Sequence, residues 1–191
     1  VPHVAAHGLS ITPLTRDVMV AYQARAAGAA PQWAPLEVQY ADFAVWQREL
    51  LGSSDDPTSL LSRQLAFWAP TLDGAPEVMD LPADRPRPAR QSMIGATAGF
   101  TIPARIHTTL PDIAGANDAS LFMVVHAALA VLLSRSSGSA DVSIGSPVSG
   151  RGERQLDDVV GMFVNTVGLC TTVYQDRSFP QVLAHTPSGR L

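Results

Sequence analysis

The sequence predicts an α/β fold, and two observations carry this prediction. Apolar residues recur at helical spacing in several segments, and these segments alternate with short aliphatic and β-branched runs typical of strands. Such alternation indicates helices packed on a sheet. The chain has 191 residues, of which 46% are hydrophobic, and this is enough to bury the core of one domain or of two small lobes.

The first part of the chain predicts a strand end followed by three helices. An apolar run closes at Gly8, and we interpret it as the end of a strand. Thr12 and Pro13 then predict an N-cap and a first helical turn, and the helix is expected to end before Gly28. Two more helices are predicted over residues 38–51 and from about residue 56, because each segment carries an apolar stripe.

A charged stretch crowded with prolines follows the third helix and predicts a linker. We therefore expect a boundary between two lobes, with residues 1–85 in the first and residues 86–191 in the second. The prolines of this stretch are Pro76, Pro82, Pro86 and Pro88.

In the second part of the chain, segments with apolar residues at helical spacing alternate with strand-like segments. The helix predicted at its centre is apolar almost all round and should therefore be buried, with His126 as a core histidine whose hydrogen bonds are satisfied. The predicted strands cover residues 96–102, 141–148 and 162–173, and the predicted helices cover residues 106–113, 120–134 and 178–184.

Composition excludes several chemistries. The chain has no lysine, since all 13 of its basic residues are arginine, and this argues against a phosphate-binding P-loop and against Schiff-base catalysis. The formal net charge is −4 without a concentrated basic face, so nucleic acid is not an expected partner. The single cysteine, Cys170, cannot form an intrachain disulfide, which fits a reducing compartment.

No membrane association is expected from the sequence. The longest apolar stretch covers residues 121–133 and is shorter than the roughly 20 residues that a bilayer span needs. Neither a signal peptide nor a lipidation motif is recognisable. These observations predict a cytoplasmic protein.

Residues 2–8 read Pro-His-Val-Ala-Ala-His-Gly and carry the first candidate site. This stretch places a histidine at the end of a short apolar run, just before a glycine turn, where an imidazole can serve as a general base at the mouth of a cleft. His3 and His7 are four residues apart, like two zinc ligands on a helix, but Pro2 and Gly8 argue against a helix. We therefore expect no metal and no organic cofactor.

Three further segments carry distinctive patterns. Residues 40–47 read Tyr-Ala-Asp-Phe-Ala-Val-Trp-Gln, residues 145–151 read Gly-Ser-Pro-Val-Ser-Gly-Arg, and residues 160–166 read Val-Gly-Met-Phe-Val-Asn-Thr. Together with residues 2–8, which resemble a His-His-x-x-x-Asp-Gly motif, they resemble the condensation domains of nonribosomal peptide synthetases. One short match would be weak evidence for the resemblance. Four matches in this order, which cover nearly the whole chain, are strong evidence.

This resemblance implies the two-lobed fold of the chloramphenicol acetyltransferase superfamily, with a tunnel between the lobes. The chain would hold the end of the first lobe and most of the second. Family members join two thioesters carried on phosphopantetheine arms, and the amine of one aminoacyl group attacks the other thioester to form an amide. The implied partners are carrier protein domains and adjacent synthetase domains.

The resemblance also assigns site residues. His3 occupies the position of the histidine usually held catalytic. His7, next to Gly8, replaces an aspartate that would pair with an arginine and shape the loop. A protonated imidazole there would repel arginine. The remaining residues implied near the tunnel are Ser146, Arg151, Asn165 and Thr166, with Arg151 equally readable as a solvated loop charge.

Two alternatives stay open. A catalytically silent module would keep the fold and dock a carrier protein or another enzyme, and the substitutions at Pro2 and His7 favour it. An acyltransferase of the same superfamily with an alcohol acceptor is the other alternative, and the segment of residues 40–47 argues against it. We also expect exposed apolar surface, and hence self-association.

Overall fold

The computed structural model of the protein describes residues 2–75 and 78–186. This part of the chain contains seven α-helices and two β-strands, which confirms the α/β class. The helices are α1 (Ile11–Ala26), α2 (Tyr40–Leu51), α3 (Leu60–Leu72), α4 (Ala104–His107), α5 (Leu110–Ala116), α6 (Leu121–Ser137) and α7 (Phe179–Ala184), and the strands are β1 (Asp141–Ser149) and β2 (Val164–Thr172).

The two strands pair in antiparallel orientation. At one end, the Gly150 amide donates to the Phe163 carbonyl oxygen at 2.6 Å, and at the other end the Val173 amide donates to the Ala140 carbonyl oxygen at 2.8 Å. The register therefore brings the two ends of the connecting loop, residues 150–163, side by side. Glycine is required at position 150 because an added Cβ would lie 2.7 Å from the Phe163 carbonyl oxygen.

Two predicted strands are absent from the described residues. Residues 91–103 have no regular structure, and Ile94 and Phe100 are 87% and 88% exposed. The segment has strand-like alternation, but a strand exists only when its backbone groups find a partner edge. Residues 3–5 form a turn instead of the predicted strand end, and the Ala5 amide donates to the Pro2 carbonyl oxygen at 3.0 Å.

The described chain divides into two compact units. The first comprises residues 1–70 and 146–167, and the second comprises residues 71–145 and 168–191, with nothing described for Val1, residues 76–77 or residues 187–191. Each unit consists of two separate stretches of the chain, because residues of the strand pair belong to both units. The lobe boundary near residue 85 stays a prediction for the larger domain.

The core of the second unit is built around α6. Ser120 caps this helix by accepting a hydrogen bond from the Met123 amide at 3.2 Å, and Gly138 ends it in the left-handed conformation with φ 75°. His126 is buried, and its Nε2 lies 3.1 Å from the Thr171 hydroxyl, so the prediction of a satisfied core histidine is confirmed. The fully buried core residues of α6 include Val124, Ala127 and Ala130.

The core of the first unit is aromatic. Phe43 and Phe163 are buried with ring centroids 4.7 Å apart, and Leu156 and Val159 complete the cluster. Phe43 comes from α2, whereas the other three residues come from the loop of residues 150–163. This core therefore fixes the loop against α2.

Several large apolar side chains remain exposed on α6, and this observation motivates a prediction of self-association. We expect the purified chain to form dimers or larger species, because apolar patches of this kind drive association in water. Light scattering across a concentration series measures this, and Leu132→Arg should shift the chain toward monomer. A monomer at high concentration without apolar dye binding would contradict the prediction. The exposed side chains are Leu121, Phe122, Val125, Leu129 and Leu132.

Within the described residues, no single helix is both long and apolar enough to cross a membrane. The two helical segments of residues 104–116 and 121–137 are long and apolar enough only when they are taken together, and the chain bends by 106° at the break between them.

Candidate functional site

The first unit brings the histidine motif of residues 2–8 against the loop of residues 150–163. The motif leads into a short 3₁₀ turn, Gly8–Ser10, and then directly into α1. The loop starts just after β1 and ends at Phe163, just before β2. Two segments that are about 150 residues apart in sequence therefore meet in one cluster.

His7 lies at the centre of this cluster. Its side chain is 3% exposed, and its ring meets Phe163 edge-on at a centroid distance of 5.9 Å. The Arg151 Nε donates to His7 Nε2 at 3.2 Å. Because a guanidinium only donates, His7 Nε2 must be unprotonated, which places the proton of a neutral imidazole on Nδ1.

The surroundings of His7 favour its neutral form. Burial lowers the pKa of His7 below its ordinary value of 6.5, and the positive charges of Arg151 and His3 lower it further. The sequence predicts that a protonated imidazole at position 7 would repel an arginine, and in the structure this arginine is Arg151. The neutral imidazole avoids this repulsion and accepts a hydrogen bond from the arginine instead.

Arg151 is the main connector of the cluster. Its Nη2 donates to Ser10 Oγ at 2.8 Å and to the Val159 carbonyl oxygen at 2.7 Å, and its Nη1 donates to the Leu156 carbonyl oxygen. Its Cζ lies 4.1 Å from the ring centroid of Phe163. The alternative of a solvated loop charge is therefore wrong for Arg151.

The guanidinium of Arg151 lies among carbonyl oxygens without a carboxylate in ion-pair contact, as far as the structure describes the chain. Burial lowers the pKa of Arg151, and the negative charge of Asp157 opposes this shift. The group nevertheless stays protonated at neutral pH. The negative charge that an aspartate at position 7 would supply is missing from the cluster.

Ser10 is a component that the sequence analysis missed. It is fully buried, and its hydroxyl donates to the Gly161 carbonyl oxygen at 2.9 Å and accepts from the Gly161 amide at 3.2 Å. A serine just before an apolar helix would ordinarily be assigned as an N-cap. Here it makes no capping bond, because its hydroxyl is already engaged by the loop.

The observed start of α1 differs from the predicted one. The helix begins at Ile11, one residue before the predicted cap Thr12, with Ser10 at the N-cap position in helical conformation. Pro13 is still in the first turn, where an amide would have no helical acceptor.

Tyr40 joins the second motif to the fourth. Its hydroxyl donates to the Met162 carbonyl oxygen at 2.8 Å, and its ring meets Phe163 edge-on at 5.2 Å. A side chain at Gly161 would collide with the Tyr40 ring, so glycine is required there. The sequence patterns at residues 2–8, 40–47, 145–151 and 160–166 thus have a common structural basis around Phe163.

The predicted catalytic residue His3 is exposed in the turn that precedes this cluster. His3 is close enough for its charge to affect His7, yet its imidazole is free of the buried hydrogen bonds that fix Arg151. The His3 imidazole is therefore exposed next to the cluster. Its assignment as the catalytic base stays a prediction.

The other predicted site residues are more scattered. Asn165 and Thr166 are exposed on β2, where Asn165 Oδ1 accepts from the Thr166 amide at 2.9 Å, and Ser146 is buried on β1. Gly8 starts the 3₁₀ turn with open space where a Cβ would lie. Across residues 2–75 and 78–186, no three histidine, cysteine or acidic side chains converge as a metal site would require.

The family model described as the condensation domain matches residues 2–188, and the chain belongs to this family. Its relatives are synthetases. The chain is 50% identical to a dimodular nonribosomal peptide synthase of Bacillus subtilis over 183 residues, which are 96% of this chain and 8% of that protein.

Solved structures agree with this assignment. The X-domain from teicoplanin biosynthesis, whose structure is known in complex with OxyB, matches with a TM-score of 0.90 and 34% identity over 97% of this chain and 41% of that chain. The four-domain nonribosomal peptide synthetase AB3403 matches with a TM-score of 0.72 and 29% identity over 94% of this chain and 13% of that chain. The chain therefore spans less than half the length of these relatives. Condensation domains of this family act on substrates carried on phosphopantetheine arms of carrier domains.

Proposed function

We propose that this chain is part of a condensation domain that forms an amide bond between two substrates carried on phosphopantetheine arms. The observation that supports this most directly is the match to the condensation family over residues 2–188. The clustering of the four motif segments around Phe163 is a second support. The substrates, the partners and the activity of the complete domain are inferred from these.

The proposed reaction is an aminolysis of a thioester. The amine of the acceptor attacks the carbonyl carbon of the donor thioester, a C–N bond forms, and the C–S bond breaks. The attacking nitrogen loses one proton, which the His3 imidazole accepts, and the departing sulfur takes up one proton. The acyl group ends on the acceptor arm as an amide, and the donor arm is released as a free thiol.

His7, Arg151 and Ser10 have a positioning role in this proposal. They are linked by hydrogen bonds of 2.8 and 3.2 Å and hold the turn that carries His3 against the loop of residues 150–163. Fixing the base relative to two tethered substrates is a large part of what such an enzyme contributes, because it removes the entropic cost of bringing reactants together. These residues are not proposed to touch the reacting atoms.

The catalytic proposal predicts a large effect of His3→Ala. In a complete condensation domain that contains this chain, with both carrier proteins loaded, we expect amide formation to fall about 10²- to 10⁴-fold, the range typical of a lost general base. Mass spectrometry of the carrier-bound product measures the rate. His107→Ala provides a matched control because His107 is an exposed histidine of α4, outside the motif.

Unchanged product formation by His3→Ala would overturn the role of His3. Offering matched amine and hydroxyl acceptors in the same assay tests the alternative with an alcohol acceptor. Ester formation in place of amide formation would support that alternative.

A second candidate function is a catalytically silent docking module. Two observations favour it. His7 replaces the aspartate of the motif, and Arg151 has no carboxylate partner among the residues that the structure describes. The X-domain that matches this chain has been solved in complex with OxyB. Such a module would bind its partner and form no product with loaded carrier proteins. The assay above separates the two candidates because only the first yields product.

A further inference from the structure

The second unit contains an open cavity that the proposed function does not use. It lies at the C-terminal end of α6, between that helix and the segment that follows β2, and its volume is about 620 Å³. Its apolar floor is formed by Val131, Val173, Phe179 and Val182. Its polar rim carries Ser134, Arg135, Ser139, Tyr174, Gln175 and Arg177.

The charge of this rim is entirely positive. Arg135 and Arg177 line the cavity, whereas no aspartate or glutamate does. Neither arginine has an ion-pair partner within the part of the chain that the structure describes, in contrast to Arg16, which pairs with Asp17 and Asp158. The charged side chains that line the cavity are thus both positive, whereas the formal net charge of the chain is −4.

A second cavity adjoins the first through shared lining residues, and we call the two together the groove. The second cavity, of about 230 Å³, shares Tyr174, Arg177 and Val182 with the first and extends past Gln181 to His185. Arg177 therefore stands between two depressions of the same surface. A groove of this kind offers room for an extended segment and for at least one inserted side chain.

The residue types at the rim are those of a protein interface. Tyr174 is 53% exposed, and the Arg177 Cζ lies 5.4 Å from its ring centroid. Tyrosine and arginine are enriched where binding energy concentrates, around pockets that lose water on binding. Both arginines are exposed, so water would screen their charges and weaken the binding of a small anion. A folded partner would instead cover the arginines and exclude water.

We propose that this groove docks an acidic segment of a partner protein, with carboxylates paired to Arg135 and Arg177 and an apolar side chain in the cavity. The partner that we assign is a carrier protein, and this assignment rests on the proposed function. Guanidinium groups pair with carboxylates in a bidentate geometry, so the two arginines would fix the orientation of the partner as well as attract it.

The test is a binding titration of the whole chain with the carrier protein of its own synthetase. The carrier is used without its phosphopantetheine arm, so that only the protein surfaces contribute, and calorimetry gives the Kd at two salt concentrations. We expect the double variant R135E/R177E to raise the Kd at least about tenfold and to flatten its salt dependence. Arg105→Glu is the matched control, since it makes the same charge change on an exposed residue of the same unit, outside the groove.

The outcomes separate this inference from the proposed function. Binding by the unaltered chain that is equally strong in R135E/R177E would overturn the docking surface and leave the proposed function standing. No binding by the unaltered chain would overturn the docking surface together with the assigned partner. Arg135 lies in the last turn of α6, where a cation stabilises the helix, so the milder R135Q/R177Q repeats the test if the double charge reversal reduces folding.

Discussion

Replacing Arg151 by methionine should release the loop of residues 150–163 from the histidine motif. Methionine keeps an apolar stem over Phe163 but removes every donor of the guanidinium. The acceptors on His7, Ser10 and Val159 would then be left buried without that partner. Leaving buried polar groups unsatisfied costs about 1–3 kcal/mol for each group, so we expect a loss of about 2–4 kcal/mol after partial relaxation.

Two measurements check this expectation. Urea unfolding gives the change in the free energy of unfolding, and hydrogen exchange of the Gly161 amide, which donates to Ser10 Oγ, reports the local release of the loop. Arg154→Met is the matched control because Arg154 belongs to the same loop and is exposed. Equal stability and equal exchange in the two variants would show that Arg151 does not anchor the loop.

His7→Asp should stabilise the first unit and change its response to acid. In the unaltered chain the pKa of His7 is lowered below 6.5, so the unfolded state binds the proton more readily. The stability that comes from neutral His7 is present above pH 6.5 and is lost as the pH falls through the folded pKa. Protonation would remove the acceptor of the Arg151 Nε and place two positive charges 3.2 Å apart.

An aspartate at position 7 would behave differently in this pH range. Its carboxylate next to Arg151 would hold its pKa below the ordinary value of about 3.9, so its contribution would persist until the pH falls through that lower range. We expect the stability of His7→Asp to vary less between pH 7 and pH 5 than that of the unaltered chain. His126, whose pKa burial also lowers, is common to both proteins and cancels in the comparison. Parallel pH profiles from urea unfolding would contradict the role of His7.

The same substitution bears on catalysis. We expect the 191-residue chain to form no amide product by itself, with or without His7→Asp, because it spans only 41% of the matching X-domain chain. In a complete domain, His7→Asp should raise the rate of amide formation, and His3→Ala should then abolish the gain. Product above the uncatalysed background from the unaltered chain would show that the substitutions at Pro2 and His7 are compatible with activity.

The contrast between residues 94–102 and the strand pair β1–β2 shows where local sequence stops being sufficient. Both have strand-like patterns, but only β1 and β2 find a partner edge within the described residues. Helices do not have this dependence, because their backbone hydrogen bonds close within the segment. This is why α2, α6 and α7 lie where periodicity and caps predict them, while the predicted strand at residues 96–102 is absent.

The sequence by itself predicted the helices, the strands at residues 141–148 and 162–173, the family resemblance, and His3, His7 and Arg151 as candidate site residues. It did not identify Ser10, since a serine before a helix predicts a local cap, whereas the Ser10 hydroxyl contacts Gly161. It also predicted that a protonated His7 would repel an arginine, without identifying that arginine as Arg151. Only the tertiary structure decided these points, because the burial that lowers the pKa of His7 and the acceptors that surround Arg151 come from a loop about 150 residues away in the chain.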